Sequence, residues 1–368
     1  MGLLNRELLG LELEELGLLV EDAGQPSYRA RQLYRALYGE HVSGIGEIST
    51  LPLSFRLELG NRGIVVGLPE IANRFVSADR TVRYLLRLGD GETVETVWMP
   101  EGDSGESGDG SEAGSGAAAA RGRATICVSS QAGCAVNCQF CLTALLGIKR
   151  NLTVGEIVGQ VIAVLRDQGA SQARERLNLV FMGMGEPFLN FENFMKAVKL
   201  LRGGVGIAAS RMTVSTAGVV PRIYDLGKEP VRPKLAISLN APNDELRTQL
   251  MPINRKWSLN QLLAAAREFP LRHRERLTFE YVLLKGVNDR IEEAREAVKR
   301  IQGIQAKVNL IALNPGPGVA FETPDEQAVL SFQKTLIDGG IPAFIRRPRG
   351  RDIYAACGQL KGTLARAT

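Results

Sequence analysis

Histidine is almost absent from this sequence, and long apolar runs are absent altogether. Only His41 and His273 occur among 368 residues, and neither lies near a cysteine, so a histidine-based metal site is not expected. No stretch approaches the roughly 18 to 20 apolar residues that span a bilayer, so we expect no membrane association. The N-terminal segment mixes acidic residues into its apolar pattern and lacks the basic start of a secretory signal. We therefore expect a cytoplasmic protein with reduced thiols.

Cysteine is also scarce, but its distribution is informative. Five cysteines occur, and three of them, Cys134, Cys138 and Cys141, fall within eight residues. Such crowding is a poor framework for disulfides and a good one for a metal centre. The other two, Cys127 and Cys357, stand apart from this group.

The net charge of +5 is unevenly spread along the chain. Residues 101–112 contain five acidic residues and no basic one, inside a low-complexity, glycine-rich stretch (101–120) that we predict to be a mobile loop. Basic residues cluster at 272–276 and again at 346–351. Both clusters suit a phosphate backbone, although solvated surface charge explains the first equally well. The second is more informative because it lies six residues before Cys357.

The hydrophobic pattern divides the chain into three predicted parts. Residues 1–70 show helical spacing and predict a small helical N-terminal domain. Its basic residues Arg29, Arg31 and Arg35 could help to hold a nucleic-acid backbone, and a plain packing domain is equally consistent. Residues 71–124 predict a β-structured connection, with a hairpin turn at Asp90–Gly91 and the acidic loop 101–120. Residues 125–368 alternate strands with helices and predict an α/β domain. The predicted strands are 125–130, 178–182, 212–216, 235–239, 278–284 and 307–312; the predicted helices lie near 153–168, 191–202, 259–268, 290–302 and 324–338. A partial (β/α)6 barrel and an open doubly wound sheet both satisfy this pattern.

The cysteine triplet lies on the loop that follows the first of these strands. Its spacing, Cys134-x-x-x-Cys138-x-x-Cys141, brings three thiolates within reach of one centre. In a four-iron cluster, three protein ligands leave one iron open for chemistry. The alternative is a structural zinc site with Cys127 as its fourth ligand, although zinc ligands usually come as two separated pairs.

Five longer motifs carry a resemblance to a known family: CVSSQAGCAVNCQFC, FMGMGEP, SLNAPND, EYVLLKGVND and RGRDIYAACGQL. The triplet resembles the signature of radical-SAM enzymes, and the five motifs together resemble the RlmN family, the dual-specificity RNA adenine-C2 methyltransferases. The resemblance extends over nearly the whole chain from about residue 20. It implies a [4Fe-4S] cluster on Cys134, Cys138 and Cys141, and S-adenosylmethionine bound at the open iron.

The resemblance also implies a role for the two remaining cysteines. Cys357 matches the family's methyl carrier, which becomes S-methylcysteine at the expense of one S-adenosylmethionine. A second S-adenosylmethionine supplies a 5′-deoxyadenosyl radical, which activates that methyl group for attack on carbon 2 of adenine. Cys127 matches the cysteine that releases the RNA–protein adduct by forming a transient disulfide with Cys357. Glu95 matches the proton acceptor. Without the family, Glu95 would be read as an exposed strand acid and Cys357 as a buried structural cysteine.

The same resemblance assigns a pocket for S-adenosylmethionine. Its predicted residues lie at or just after the C-terminal ends of strands, where α/β folds bind ligands: Gly185, Glu186, Ser215, Ser238, Leu239, Asn240 and Asn314. Two features depart from typical relatives. The loop 101–120 is longer than usual, and Asn240 stands where some relatives have histidine.

The implied partners are 23S ribosomal RNA, near the peptidyl-transferase centre, and transfer RNA, at the adenosine 3′ of the anticodon. A flavodoxin-type electron donor and a monomeric enzyme are expected on the same ground. One alternative is a Cfr-like enzyme, which methylates carbon 8 of adenine. The other is a non-catalytic RNA-binding protein that a metal stabilises.

Overall fold

A computed structural model describes residues 7–100, 123–169 and 176–361. The predicted mobile loop, residues 101–120, lies outside these ranges. None of the helices within them is long and apolar enough to cross a membrane.

A single ten-stranded sheet organises the described chain. Two further strands, β5 and β6, form a separate hairpin. In chain order the strands are β1 Glu70–Val76, β2 Val82–Arg87, β3 Thr93–Pro100, β4 Arg123–Cys127, β5 Gln131–Gly133, β6 Ile148–Asn151, β7 Arg176–Phe181, β8 Met212–Thr216, β9 Lys234–Ser238, β10 Leu277–Leu283, β11 Ala306–Ala312 and β12 Ala343–Ile345. In the large sheet the order is β1-β2-β3-β4-β7-β8-β9-β10-β11-β12. Neighbours are antiparallel from β1 to β4 and parallel from β4 to β12.

The strand order decides between the two predicted architectures. From β4 onward each strand pairs with the next parallel strand along the chain, and the order never reverses. Right-handed crossovers then place successive helices on the same face of the sheet, as in a barrel. A doubly wound sheet would need a reversal of strand order. The predicted α/β fold with a partial barrel is therefore confirmed, and in the described residues the edge strands β1 and β12 do not pair to close it.

Ten α-helices accompany these strands in the described chain: α1 Leu13–Asp22, α2 Tyr28–Tyr34, α3 Leu53–Asn61, α4 Val154–Gln168, α5 Phe191–Gly203, α6 Val220–Lys228, α7 Asp244–Leu250, α8 Leu259–Glu268, α9 Ile291–Ile301 and α10 Glu326–Asp338. A π-type turn over Arg35–Gly39 extends α2. Thr153 caps the N-terminus of helix α4: its hydroxyl accepts the Glu156 N–H while the Glu156 carboxylate accepts the Thr153 N–H. This capping box explains why the helix starts where the sequence predicts.

The helical N-terminal segment and the barrel share one hydrophobic core. Leu8 and Leu9 donate backbone hydrogen bonds to Val65 and Val66, and the Tyr38 hydroxyl donates to the Leu11 carbonyl. Predicted domain limits at residues 70 and 124 stay predictions.

Sequence patterns missed several short elements. Helices α6 and α7 and strands β5, β6 and β12 were not predicted. β5 and β12 have three residues each and β6 has four, too few for a recognisable alternation. The hairpin turn at Asp90–Gly91 is present between β2 and β3, with Gly91 at a positive φ of 89°.

Candidate active site

The loop that carries the three clustered cysteines is closed at its base by the β5–β6 hairpin. Cys134 donates its backbone N–H to the Gly147 carbonyl at 2.9 Å. Gly133 has a φ of 81°, and a Cβ there would collide with the Gly147 oxygen. Only glycine fits this close approach, which fixes the start of the loop.

The three clustered thiols share an apolar setting. They pack against a small hydrophobic cluster that includes Val136, Phe140 and Leu313. Burial raises the pKa of the Cys134 thiol to about 12 and that of Cys138 well above its usual value, and Cys141 raises both further. Cys134 and Cys138 therefore lie close to Cys141 in a medium that disfavours their thiolate forms, which metal binding would require.

Three neighbouring thiols are a donor set that fits an iron–sulfur cube. Within the described residues, no three histidine, cysteine or carboxylate side chains converge closely enough to hold one ion. In a cube each thiolate binds a different iron, so its ligands need not meet at one point.

The predicted pocket begins where β7 ends. Gly185 has a φ of 97°, and a Cβ there would lie 2.7 Å from the Gln131 nitrogen. The Glu186 carboxylate is buried and accepts N–H groups from Ala217 at 2.6 Å and Phe188 at 3.0 Å. Burial raises its pKa to about 7, and its charge contributes to the raised thiol pKa values of Cys134 and Cys138.

The other predicted pocket residues follow the next strand ends. The Ser215 and Ser238 hydroxyls are 3.5 Å apart on neighbouring strands. Leu239 is buried, while Asn240 has a φ of 58° and its side-chain oxygen accepts the Val282 N–H at 2.8 Å. Asn314 donates its side-chain N–H to the Cys357 carbonyl at 3.3 Å, which links the pocket to the second functional segment.

That second segment, residues 357–361, docks onto the cysteine loop. Gly358 accepts the Leu142 N–H at 2.8 Å, and Leu360 accepts the Thr143 hydroxyl at 2.7 Å. The Cys357 side chain is exposed, which corrects the expectation of a buried structural cysteine. Desolvation by the surrounding protein raises the pKa of its thiol. The Glu280 carboxylate and Cys141 raise this pKa further. Cys357 thus directly precedes Gly358, the residue that binds Leu142 at the end of the cysteine loop.

Cys127, the last residue of β4, faces the same region. It is buried, and this burial raises the pKa of its thiol. The nearby Cys357 thiol raises that pKa further. Both thiols are free in this structure. Val97 lies opposite Cys127 in the sheet, and Glu95 is two positions along β3, so all three share one face.

The strand pattern alone predicts that the Glu95 side chain is exposed, and this prediction is wrong. Glu95 is fully buried, and Arg83 Nη1 donates to Glu95 Oε1. The backbone N–H of Lys361 donates to Glu95 Oε2 at 2.8 Å. The strand pattern around Glu95 gives no sign of burial because its partner Arg83 is itself a charged residue.

Two buried arginines near the site were missed by sequence reasoning. Arg83 is one, and Arg247 is the other. Arg247 donates to the carbonyls of Ala217, Ser238 and Leu239 at the ends of β8 and β9. Burial lowers its pKa to about 10. Its spacing on α7 gave no signal, since a single arginine on a helix normally reads as solvated.

The basic segment 346–351 lies beside Cys357, whereas residues 272–276 lie at the opposite, N-terminal end of β10. Two aspartates fix the first segment against the β1–β2 turn. Asp79 accepts the Gly350 N–H at 3.0 Å, and Asp352 accepts the Ser77 hydroxyl at 2.6 Å. Exposed Arg80 and Arg351 therefore lie on adjoining loops.

Comparison with known proteins places this geometry in a family. Residues 128–298 match the model of the radical SAM superfamily. A "Probable dual-specificity RNA methyltransferase RlmN" from Koribacter versatilis is 62% identical over 344 residues, which are 94% of this chain and 98% of that protein. The "Dual-specificity RNA methyltransferase RlmN" of Syntrophobacter fumaroxidans is 45% identical over 95% of this chain and 96% of that protein.

A solved structure agrees with the sequence relatives. The crystal structure of a radical SAM methyltransferase from Sphaerobacter thermophilus has a TM-score of 0.88 and 40% identity. The match covers 97% of this chain and 99% of that one.

Proposed function

The chain belongs to the RlmN family of dual-specificity RNA methyltransferases, within the radical SAM superfamily, and from this premise we propose that it methylates carbon 2 of adenine in RNA. The observation that carries the proposal is the docking of the Cys357 segment onto the loop of the three clustered cysteines, through Leu142 and Thr143. A metal that only stabilised the fold would not need a free, exposed thiol beside it.

Cys134, Cys138 and Cys141 would hold the [4Fe-4S] cluster, and its open iron would bind S-adenosylmethionine. When bound, this pair supplies a 5′-deoxyadenosyl radical. The strand-end residues hold the cofactor's polar groups: Gly185 leaves room beside the backbone, and Glu186 supplies a carboxylate next to the cysteine loop. The backbone N–H groups already bound to Glu186 keep its carboxylate fixed.

Cys357 would receive a methyl group from one S-adenosylmethionine and present it to the adenine. A second S-adenosylmethionine would supply the radical, so each turnover would consume two. The Cys357 side chain is exposed, as a carrier that meets both a cofactor and an RNA base has to be. Carbon 2 of adenine is electron-poor and cannot attack a sulfonium directly, which explains the need for a carrier. Cys127 would then attack the Cys357 sulfur, so that the disulfide forms as the bond between that sulfur and the RNA methylene carbon breaks. The Cys357 thiol contributes to the raised pKa of Cys127, which supports their proximity.

Glu95 accepts the proton from carbon 2. It lies on the sheet face that also carries Cys127, and its carboxylate contacts Lys361, four residues beyond Cys357. The acceptor, the resolving thiol and the carrier segment therefore meet on one side of the sheet.

We expect 23S ribosomal RNA and transfer RNA as substrates in the cytoplasm, with a flavodoxin-type donor and a monomeric enzyme, as the family resemblance implies. Arg80 and Arg351 would hold the phosphate backbone next to Cys357. Phosphate contacts position an RNA without reading its sequence, so the choice of adenine depends on the pocket itself.

The test is anaerobic turnover with RNA, followed by mass spectrometry of the nucleosides. We expect 2-methyladenosine. Finding 8-methyladenosine instead would favour the Cfr-like alternative, and finding no methylated adenosine from a folded, cluster-loaded protein would contradict both.

A further inference from the structure

Both carboxylate oxygens of Glu95 are occupied in this structure, by two different kinds of partner. Oε1 accepts from the Arg83 guanidinium, and Oε2 accepts the Lys361 backbone N–H at 2.8 Å. Arg83 belongs to strand β2, whereas Lys361 belongs to the segment that carries Cys357. One partner is thus part of the rigid sheet and the other is part of the docked C-terminal segment.

Sheet register explains the first contact. Arg83 lies opposite Val97 and Leu85 lies opposite Glu95, so Arg83 and Glu95 are diagonal neighbours on the same face. Diagonal neighbours on a sheet are within reach of long side chains. The pairing therefore follows from the register of the hairpin.

The pair is also sealed from solvent. Arg83 and Glu95 both have side chains 0% exposed, and the Arg83 guanidinium lies 4.1 Å from the centre of the Phe75 ring. A buried charge is retained only when it is paired. Arg83 consequently has no alternative solvated position to which it can swing, and it fixes one oxygen of Glu95 in place.

We propose that Arg83 is the positioning residue for the proton acceptor Glu95, holding Oε1 fixed while Oε2 takes the proton once Lys361 moves away. In that step the bond between carbon 2 and its hydrogen breaks, its electron pair stays in the purine, and the proton bonds to Glu95 Oε2. The assignment rests on the proposed function. The assignment also links movement of the segment 357–361 to proton transfer, since this segment covers Glu95 when it is docked.

The chain offers a matched control for removing a buried arginine. Arg232 forms a buried ion pair with Glu275 at 3.0 Å, and its guanidinium lies 4.5 Å from the centre of the Phe269 ring. This pair reproduces the chemistry of Arg83, Glu95 and Phe75, but it lies at the N-terminal end of β10, away from the site.

The experiment compares Arg83→Gln with Arg232→Gln in the reconstituted enzyme, using transfer RNA as the probe. Three products are quantified: 5′-deoxyadenosine, 2-methyladenosine and the covalent RNA–protein adduct on a denaturing gel. The ratio of adduct to methylated product is independent of the active fraction, so a purely structural role would not change it. For Arg83→Gln we expect continued 5′-deoxyadenosine formation, adduct accumulation and a loss of methylated product approaching the roughly 100- to 10,000-fold contribution of a general base.

Arg83→Lys keeps the buried charge but lacks the planar fork of guanidinium, so we expect an adduct ratio between those of wild type and Arg83→Gln. This variant also serves if Arg83→Gln does not fold. A wild-type ratio in folded Arg83→Gln or Arg83→Lys would overturn the role of Arg83, as would an equal rise in Arg232→Gln. Absence of methylated adenosine from the wild-type enzyme would instead overturn the proposed function on which this role rests.

Discussion

Removing the Thr143 hydroxyl should uncouple cofactor cleavage from RNA methylation. Thr143 is 3% exposed and follows the cysteine loop, and its hydroxyl donates to the Leu360 carbonyl at 2.7 Å. Valine has nearly the same shape, so Thr143→Val deletes this hydrogen bond with little change in packing. The Leu360 carbonyl then lacks its partner when the Cys357 segment is docked, but it can bind water when the segment is released.

The size of the change in docking follows from the difference between the docked state, where the Leu360 carbonyl lacks a partner, and the released state, where it binds water. An unsatisfied buried polar group costs about 1–3 kcal/mol, which changes the ratio of docked to released segments about 5- to 150-fold. Contacts from Leu142 and Gln359 remain, at 2.8 Å each, so docking is weakened rather than abolished. The cofactor is held by other residues, so its cleavage should continue while the methyl carrier is misplaced.

The assay measures 5′-deoxyadenosine formed per methyl group transferred to RNA, alongside the iron–sulfur absorbance. We expect the ratio to rise in Thr143→Val and to return towards wild type in Thr143→Ser. Thr335→Val is the matched control, because Thr335 donates to the Ser331 carbonyl at 2.9 Å inside helix α10. An unchanged ratio in Thr143→Val, with an intact cluster, would refute the docking argument.

Further substitutions test other parts of the site. Cys357→Ala should retain the cluster and transfer no methyl group, whereas Cys127→Ala should accumulate a covalent RNA–protein adduct; full turnover in either variant, measured by nucleoside mass spectrometry, would contradict its role. Gly185→Ala places a Cβ 2.5 Å from the Gln131 Cβ, so it should destabilise the protein by about 1–3 kcal/mol in thermal unfolding. It should also raise the KM for S-adenosylmethionine, and an unchanged KM would show that Gly185 does not line the pocket. Arg80→Glu and Arg351→Glu should raise the KM for RNA and each reduce the salt slope of RNA binding by about 1, without changing cofactor cleavage; an unchanged slope would place the RNA elsewhere.

The sequence predicts the regular part of the fold because that part obeys local rules. The six predicted strands of the barrel and five of its helices are present, with starts set by features such as the capping box at Thr153. The choice between a barrel and a doubly wound sheet depends on strand order, which is a non-local property. Hydrophobic periodicity carries no information about which strands become neighbours.

Burial at the site is non-local for the same reason. Glu95 is read as exposed because charged strand residues usually face water, but diagonal pairing with Arg83 across the hairpin lets both be buried. Cys357 is read as buried because isolated cysteines usually are, but its side chain is exposed. The resemblance to the family identified both residues, whereas the contact of Lys361 with Glu95 required coordinates.

The most direct test of the account is to follow a labelled methyl group through Cys357. The reconstituted enzyme is incubated with S-adenosylmethionine carrying an isotopically labelled methyl group, and the peptide containing Cys357 is analysed by mass spectrometry before and after transfer RNA is added. The account predicts label on Cys357 first and its appearance on adenine afterwards, with loss from the peptide. Label that reaches adenine while the Cys357 peptide never carries it would contradict the account.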